Sequence, residues 1–200
     1  MPSQNTIRVR MNPLNPGEFF ACCGLLELAE RLWADAEAWF EPRAFFLSTG
    51  GSIPEILDAL VCKLPGELTR LDSVEVKPLI APLRLEIGGR DLLLDAWMAI
   101  RIEKGEVVAV GNPPWNFWSG QQTSLRIWTS LRHALVEQRS QLVAAGDEAI
   151  FEQRVPLSGR FGFDPGAAWN ALDVGFSPNE QRMDVASSPA VELLAAVGLQ

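Results

Sequence analysis

Two neighbouring runs decide the class of the fold: Thr6-Ile7-Arg8-Val9-Arg10-Met11, and then Asn15-Pro16-Gly17-Glu18-Phe19-Phe20-Ala21-Cys22-Cys23-Gly24-Leu25-Leu26. In the first, Ile7, Val9 and Met11 alternate with Arg8 and Arg10, the period of two that gives a strand one buried and one wet face. In the second, Asn15 stands as an N-cap, Pro16 at the first helical position and Glu18 at the third, so a helix is predicted from here to about Trp33. Phe19 to Leu26 is apolar nearly all round, and Glu27, Glu30 and Arg31 come only later. The early turns of this helix should therefore lie deep in the core.

Further along, Ala44 to Leu47 has the pattern of a second strand. Thr49-Gly50-Gly51 then turns the chain before Ser52-Ile53-Pro54-Glu55 repeats the capping-box spacing ahead of a short helix to about Leu64. Between Leu71 and Val110 the apolar residues fall into short strand-like groups, with Gly88-Gly89 and Lys104-Gly105 where hairpin turns would sit. Gly111-Asn112-Pro113-Pro114 stops this region, and a long helix is predicted from about Ser119 to Ala145. Its Trp128, Leu131 and Leu135 share a face that should pack on the sheet. From Phe151 onward Gly and Pro dominate until Ser188-Pro189 opens a last short helix, Ala190 to Val197, with Gly198 placed to end it. Asn15-Pro16 and Ser188-Pro189 thus echo each other, each opening an apolar helix with a Leu-Leu pair, although such caps are common. The expected fold is α+β: an antiparallel β meander packed against a buried N-terminal helix and a long central helix. It forms one domain, 1–200, with 151–200 a glycine- and proline-rich C-terminal segment.

Composition narrows the function. A hydrophobic share of 48% with 21% charged residues describes a globular chain rather than a disordered one. The net charge of −8 argues against a protein that grips nucleic acid alone, because phosphate attraction needs clustered Lys and Arg. Seven Trp and no Tyr exclude tyrosine chemistry. The longest apolar stretch, Phe19 to Leu26, is far below the roughly 20 residues that span a bilayer. The opening MPSQNTIRVRM lacks the apolar segment of a signal peptide, so a cytoplasmic location is expected.

Residues able to do chemistry are few. His133 is the only histidine, so any Ser-His or Cys-His pair must run through it. Cys22 or Cys23 could serve as nucleophile, with the nearby helix N-terminus lowering the thiol pKa, but both lie in the most apolar stretch, where cysteine acts as a small hydrophobe. Cys62 completes an odd number that makes neither a disulfide framework nor a zinc motif. Asp164, Asp173 and Asp184 are the best carboxylate set for a divalent ion, in a segment rich in glycine and proline where Asp ordinarily caps turns. Phosphate-loop and dinucleotide fingerprints are missing. Neither a cofactor nor a metal is expected. Arg126, Arg132 and Arg139 make the long helix the one locally basic region, a candidate nucleic-acid face or simply the wet side of an amphipathic helix.

Three segments carry a resemblance: Asn15 to Leu28, Phe117-Trp118-Ser119-Gly120-Gln121-Gln122-Thr123, and Gly159 to Pro165 with Trp169 to Pro178. Together they resemble the small CRISPR-associated proteins of type I-U (I-G) loci, a Csb/Csx-type effector subunit or helicase-nuclease extension family. The resemblance spans about residues 7–200. It implies a component of an RNA-guided antiviral system whose partners are other effector subunits or the helicase-nuclease. Guide RNA or target DNA would be met only within the complex, where base pairing carries sequence recognition. No family active site maps onto these positions. The expected function is therefore non-enzymatic docking, with Trp115, Trp118, Phe161, Phe163 and Trp169 as anchors on outward-facing turns. The alternative is a divalent-metal-dependent nuclease or hydrolase using Asp164, Asp173 and Asp184.

Overall fold

The first strand places its alternating residues as their chemistry demands. In the computed structural model, which describes residues 5–62, 66–67, 70–71, 74–75, 81–111, 122–164 and 185–200, β1 (Asn5–Arg10) buries Ile7 and Val9 and leaves Arg8 and Arg10 outside. It pairs antiparallel with β3 (Ala44–Thr49), which pairs in turn with β2 (Glu37–Glu41). The registers put Val9, Phe45 and Phe40 in one inner row and Arg8, Phe46 and Trp39 in one outer row. β2 lacks a strong alternating signal and is not anticipated from sequence. The two-residue Pro42-Arg43 turn joins it to β3, with Arg43 at φ 63° and its carbonyl accepting from the Met11 N–H at 3.1 Å.

α1 (Pro16–Leu32) begins where its cap predicts, and Ala21, Cys22, Leu25, Leu28 and Ala29 are buried. α2 (Ile53–Cys62) follows the Ser52 box, in which Glu55 accepts from the Ser52 N–H at 2.8 Å and hydroxyl at 2.7 Å. Short strands come next: β4 (Gly66–Glu67), β5 (Arg70–Leu71), β6 (Val74–Glu75), β7 (Leu83–Ile87), β8 (Arg90–Leu94), β9 (Met98–Glu103) and β10 (Glu106–Gly111). The Gly88-Gly89 and Lys104-Gly105 turns are hairpins as expected, all four residues having positive φ.

These strands do not form one meander. They divide into β4-β7-β8, β9-β10 and β5-β6, each antiparallel within itself. The break between β8 and β9 has a physical cause. Trp97 turns inward there, fully buried and stacked on Phe161 at 5.5 Å, while the N–H groups of Asp95 and Ala96 donate to the Gln200 side chain.

α3 (Ser124–Ala145) starts at a Thr123 cap and buries Ile127, Trp128, Leu131, Leu135 and Leu142. This face rests mainly on α2 and on α4 (Pro189–Gly198), rather than on a sheet as the sequence suggested. A 3₁₀ turn (Asp147–Ala149) leads to β11 (Val155–Leu157), which pairs with β12 (Val185–Ser187); this pair is not anticipated either. α4 is buried over nearly its whole length and lies against α1. The two backbones approach so closely that a Cβ on Gly24 would collide with the Leu194 carbonyl, and one on Gly198 with the Phe20 carbonyl. The echo between the two Pro-opened helices is thus a packing relationship. One hydrophobic core runs from Ile7 to Val197, and the described helices and antiparallel strands make the fold α+β.

Candidate functional site

The caps that start α1 and α4 converge on one carboxylate. The Asn15 side-chain oxygen accepts from the N–H groups of Gly17 and Glu18 at 3.0 and 3.3 Å, leaving its amide free to donate to Asp164 Oδ1 at 2.9 Å and Glu18 Oε1 at 3.0 Å. Ser188 caps α4 by accepting from the Val191 N–H at 3.3 Å, and its own backbone N–H donates to Asp164 Oδ2 at 3.1 Å. Arg154 completes the shell with Nε at 3.2 Å and Nη2 at 3.3 Å from the same carboxylate. A close glycine fits beneath: a Cβ on Gly17 would strike the Phe163 carbonyl.

A second carboxylate ties the same loop to α4. Glu192, fully buried, accepts from the Gly162 N–H at 2.8 Å, the Asp164 N–H at 3.0 Å and the Phe163 N–H. The Ser187 hydroxyl lies 3.4 Å from Asp164 and 3.2 Å from Glu192, one proton between two acids.

The three acids are pushed apart electrostatically. Burial would raise Asp164, but hydrogen bonds from Asn15 and the Ser188 N–H, with the Arg154 charge, outweigh it and hold the carboxyl below its ordinary range. Burial raises Glu192 despite its three N–H donors, and the Asp164 charge adds to the effect. Burial also raises Glu18, helped by Asp164 and opposed by the Asn12 N–H at 2.5 Å, Arg154 and Asn15. Split acidities of this kind are one mark of acid–base sites. Here, however, Asp164 and Glu192 are closed off from solvent and their acceptor positions are filled from within the chain. Only Glu18 and Arg154 reach open space, a cleft of about 460 Å³ shared with Arg10, Asn12, Arg43, Phe151 and Glu152. Chemically the arrangement is a fastener that binds two helix starts and a loop.

The other candidates fall elsewhere. Phe161 and Phe163 are buried and stacked 5.5 Å apart, so the expectation that their turn presents them outward is corrected: the Glu192 bonds to this loop hold its backbone against α4 and drive the rings into the core. Trp115, Trp118, Trp169, Asp173 and Asp184 lie outside the described residues. Among the described residues no group of three His, Cys, Asp or Glu is placed to hold a metal ion. Cys22 is buried, and burial pushes its thiol far above the ordinary range, overriding any lowering by the helix start; Cys23 is raised by burial as well. His133 is on the exposed face of α3, its Nδ1 3.6 Å from Glu137.

Of the basic trio, Arg132 donates to the Val61 carbonyl at the end of α2, and Arg139 forms a two-pronged pair with Asp58 at 2.5 Å. Both therefore serve the α2–α3 contact. Arg126 stays exposed, in an open groove with Thr123, Leu125, Thr129, Ser130 and His133. The sequence reading missed Asn15, Arg154, Ser188 and Glu192 as a group. The one available signal was the repeated polar-Pro helix start, which is too common to be specific.

Comparison of the chain with family models, with curated proteins and with solved structures returns no match.

Proposed function

We propose that this chain is a non-enzymatic component of a type I-U (I-G) CRISPR antiviral system, acting in the cytoplasm by docking within the RNA-guided effector complex or on its helicase-nuclease. One observation carries the reading. Two of the segments on which the resemblance rests, Asn15 to Leu28 and Gly159 to Pro165, meet at the Asn15–Asp164 hydrogen bond. These segments form a scaffold whose polar groups are occupied in holding it together, which suits a binding protein. The described residues also include no helix long and apolar enough to cross a membrane.

Co-expression with the effector subunits and helicase-nuclease of such a locus tests this. Stoichiometric co-elution that survives nuclease treatment is expected; elution of the chain alone would overturn it. Incubating the purified chain with labelled RNA and DNA, with Mg²⁺ or Mn²⁺ and with chelator, tests the hydrolase alternative. Chelator-sensitive cleavage that is lost in Asp173→Ala would replace docking with catalysis.

A further inference from the structure

The three-stranded sheet has two edges of opposite charge, and among the described residues only one is covered. At the first, β1 turns Arg8 and Arg10 outward, and the segment after α3 meets them with Glu148, 2.7 Å from Arg8, and Glu152, 2.6 Å from Arg10. At the second, β2 pairs with β3 alone among the described residues. Its sequence, Glu37-Ala38-Trp39-Phe40-Glu41, sets an apolar triplet between two carboxylates, and no ion pair reaches either glutamate among the described residues. Trp39 and Phe40 stay 43% and 45% exposed, one on each face of the strand. Each is nevertheless fixed by a neighbouring ring: Trp39 lies parallel to Phe46 at 5.2 Å, and Phe40 stacks on Phe19 at 5.1 Å.

We propose that the outer edge of β2 accepts an extended segment of a partner protein as a fourth strand, and that this segment carries apolar residues flanked by Lys or Arg. The inference rests on the docking reading above but not on the pathway. An uncovered edge offers a row of backbone N–H and C=O groups that another strand can satisfy. Trp39 and Phe40 grip such a strand from both faces without losing much freedom, because their rings are already held. Glu37, Trp39 and Glu41 share a face by the period of two, so the carboxylates select the charge of the residues opposite them. Within the molecule β1 shows the same complementarity with the signs exchanged. A second copy is disfavoured: antiparallel pairing centred on Trp39 sets Glu37 opposite Glu41 at both ends, like charge against like. Nucleic acid is disfavoured by the same carboxylates and by the net charge of −8.

The test titrates the intact, ¹⁵N-labelled chain with the synthetic peptide TKVTVKT and its acidic twin TEVTVET, with the single-stranded RNA oligouridine as a third arm. Shift changes centred on 37–41, slowed amide exchange there, and binding of the basic peptide about tenfold tighter than the acidic one are expected. In the double variant Glu37→Lys with Glu41→Lys the preference should reverse, with an unchanged thermal midpoint showing that the sheet still folds. Absence of shifts at 37–41, equal binding of the two peptides, dimerisation through β2, or tighter binding of the RNA would each overturn the proposal. If effector subunits co-elute while the peptides fail, docking stands and this edge is not its surface. If the basic peptide binds while effector subunits do not co-elute, the edge stands and the pathway reading falls.

Discussion

Asn15 donates to Asp164 at 2.9 Å across 149 positions of sequence, and through that bond the starts of α1 and α4 are fastened to one loop. Because Asn15 simultaneously caps α1, a single amide side chain links a local signal to the tertiary fold.

Asn15→Ala should destabilise the protein by about 2 kcal/mol, combining a lost cap with a buried carboxylate left short of one of its donors. Asn15→Asp is the more telling change. Aspartate caps as well as asparagine, but here it would set a carboxylate against Asp164 and Glu18 and remove the donor they share. Urea unfolding should rank Asn15→Asp at or below Asn15→Ala; a near-native Asn15→Asp would mean that the link is dispensable.

Stability should peak in mildly acidic solution. Asp164 is held below its ordinary 3.8, so its contribution is present above that value and is lost as pH falls through the lower folded value. Glu192 and Glu18 are raised above 4.5, so near that pH the folded state keeps protons that the unfolded chain releases. Their effect is a loss of stability as pH climbs from 4.5 through the raised folded values. Unfolding free energies measured from pH 3 to 8 should show both limbs, with the falling limb reduced in Glu192→Gln and the rising one in Asp164→Asn.

Gly24→Ala and Gly198→Ala should each lower the thermal midpoint. Helix propensity favours alanine by about 1 kcal/mol, but the added methyl meets a backbone carbonyl of the facing helix, which cannot turn aside as a side chain could. A raised midpoint would show that α1 and α4 are less closely apposed.

Thiol labelling should follow burial. In folded protein Cys62 should react with iodoacetamide first, Cys23 slowly and Cys22 only on unfolding, as read by mass spectrometry of digests. Early modification of Cys22 would contradict its place in the core.

The pair of Arg139 with Asp58 is half exposed, so a double-mutant cycle should give only a weak coupling, far smaller than the effect of Asn15→Ala. Salt should weaken it further.

Much of this fold was legible locally. The α1 cap, the Ser52–Glu55 box and the Gly88-Gly89 and Lys104-Gly105 turns are each set by steric and hydrogen-bonding rules acting within about four residues. Sequence alone therefore determined where these elements begin and turn, and that strands and helices would be mixed, while β2 and the β11–β12 pair carried no local signal. Tertiary structure decided which of them meet: β8 parts from β9 at the buried Trp97, Phe161 and Phe163 face inward, Arg132 and Arg139 answer α2, and two ordinary helix caps share Asp164. Such contacts form only when distant segments are buried together. Their energy depends on joint desolvation and close backbone approach, which no short window of sequence contains.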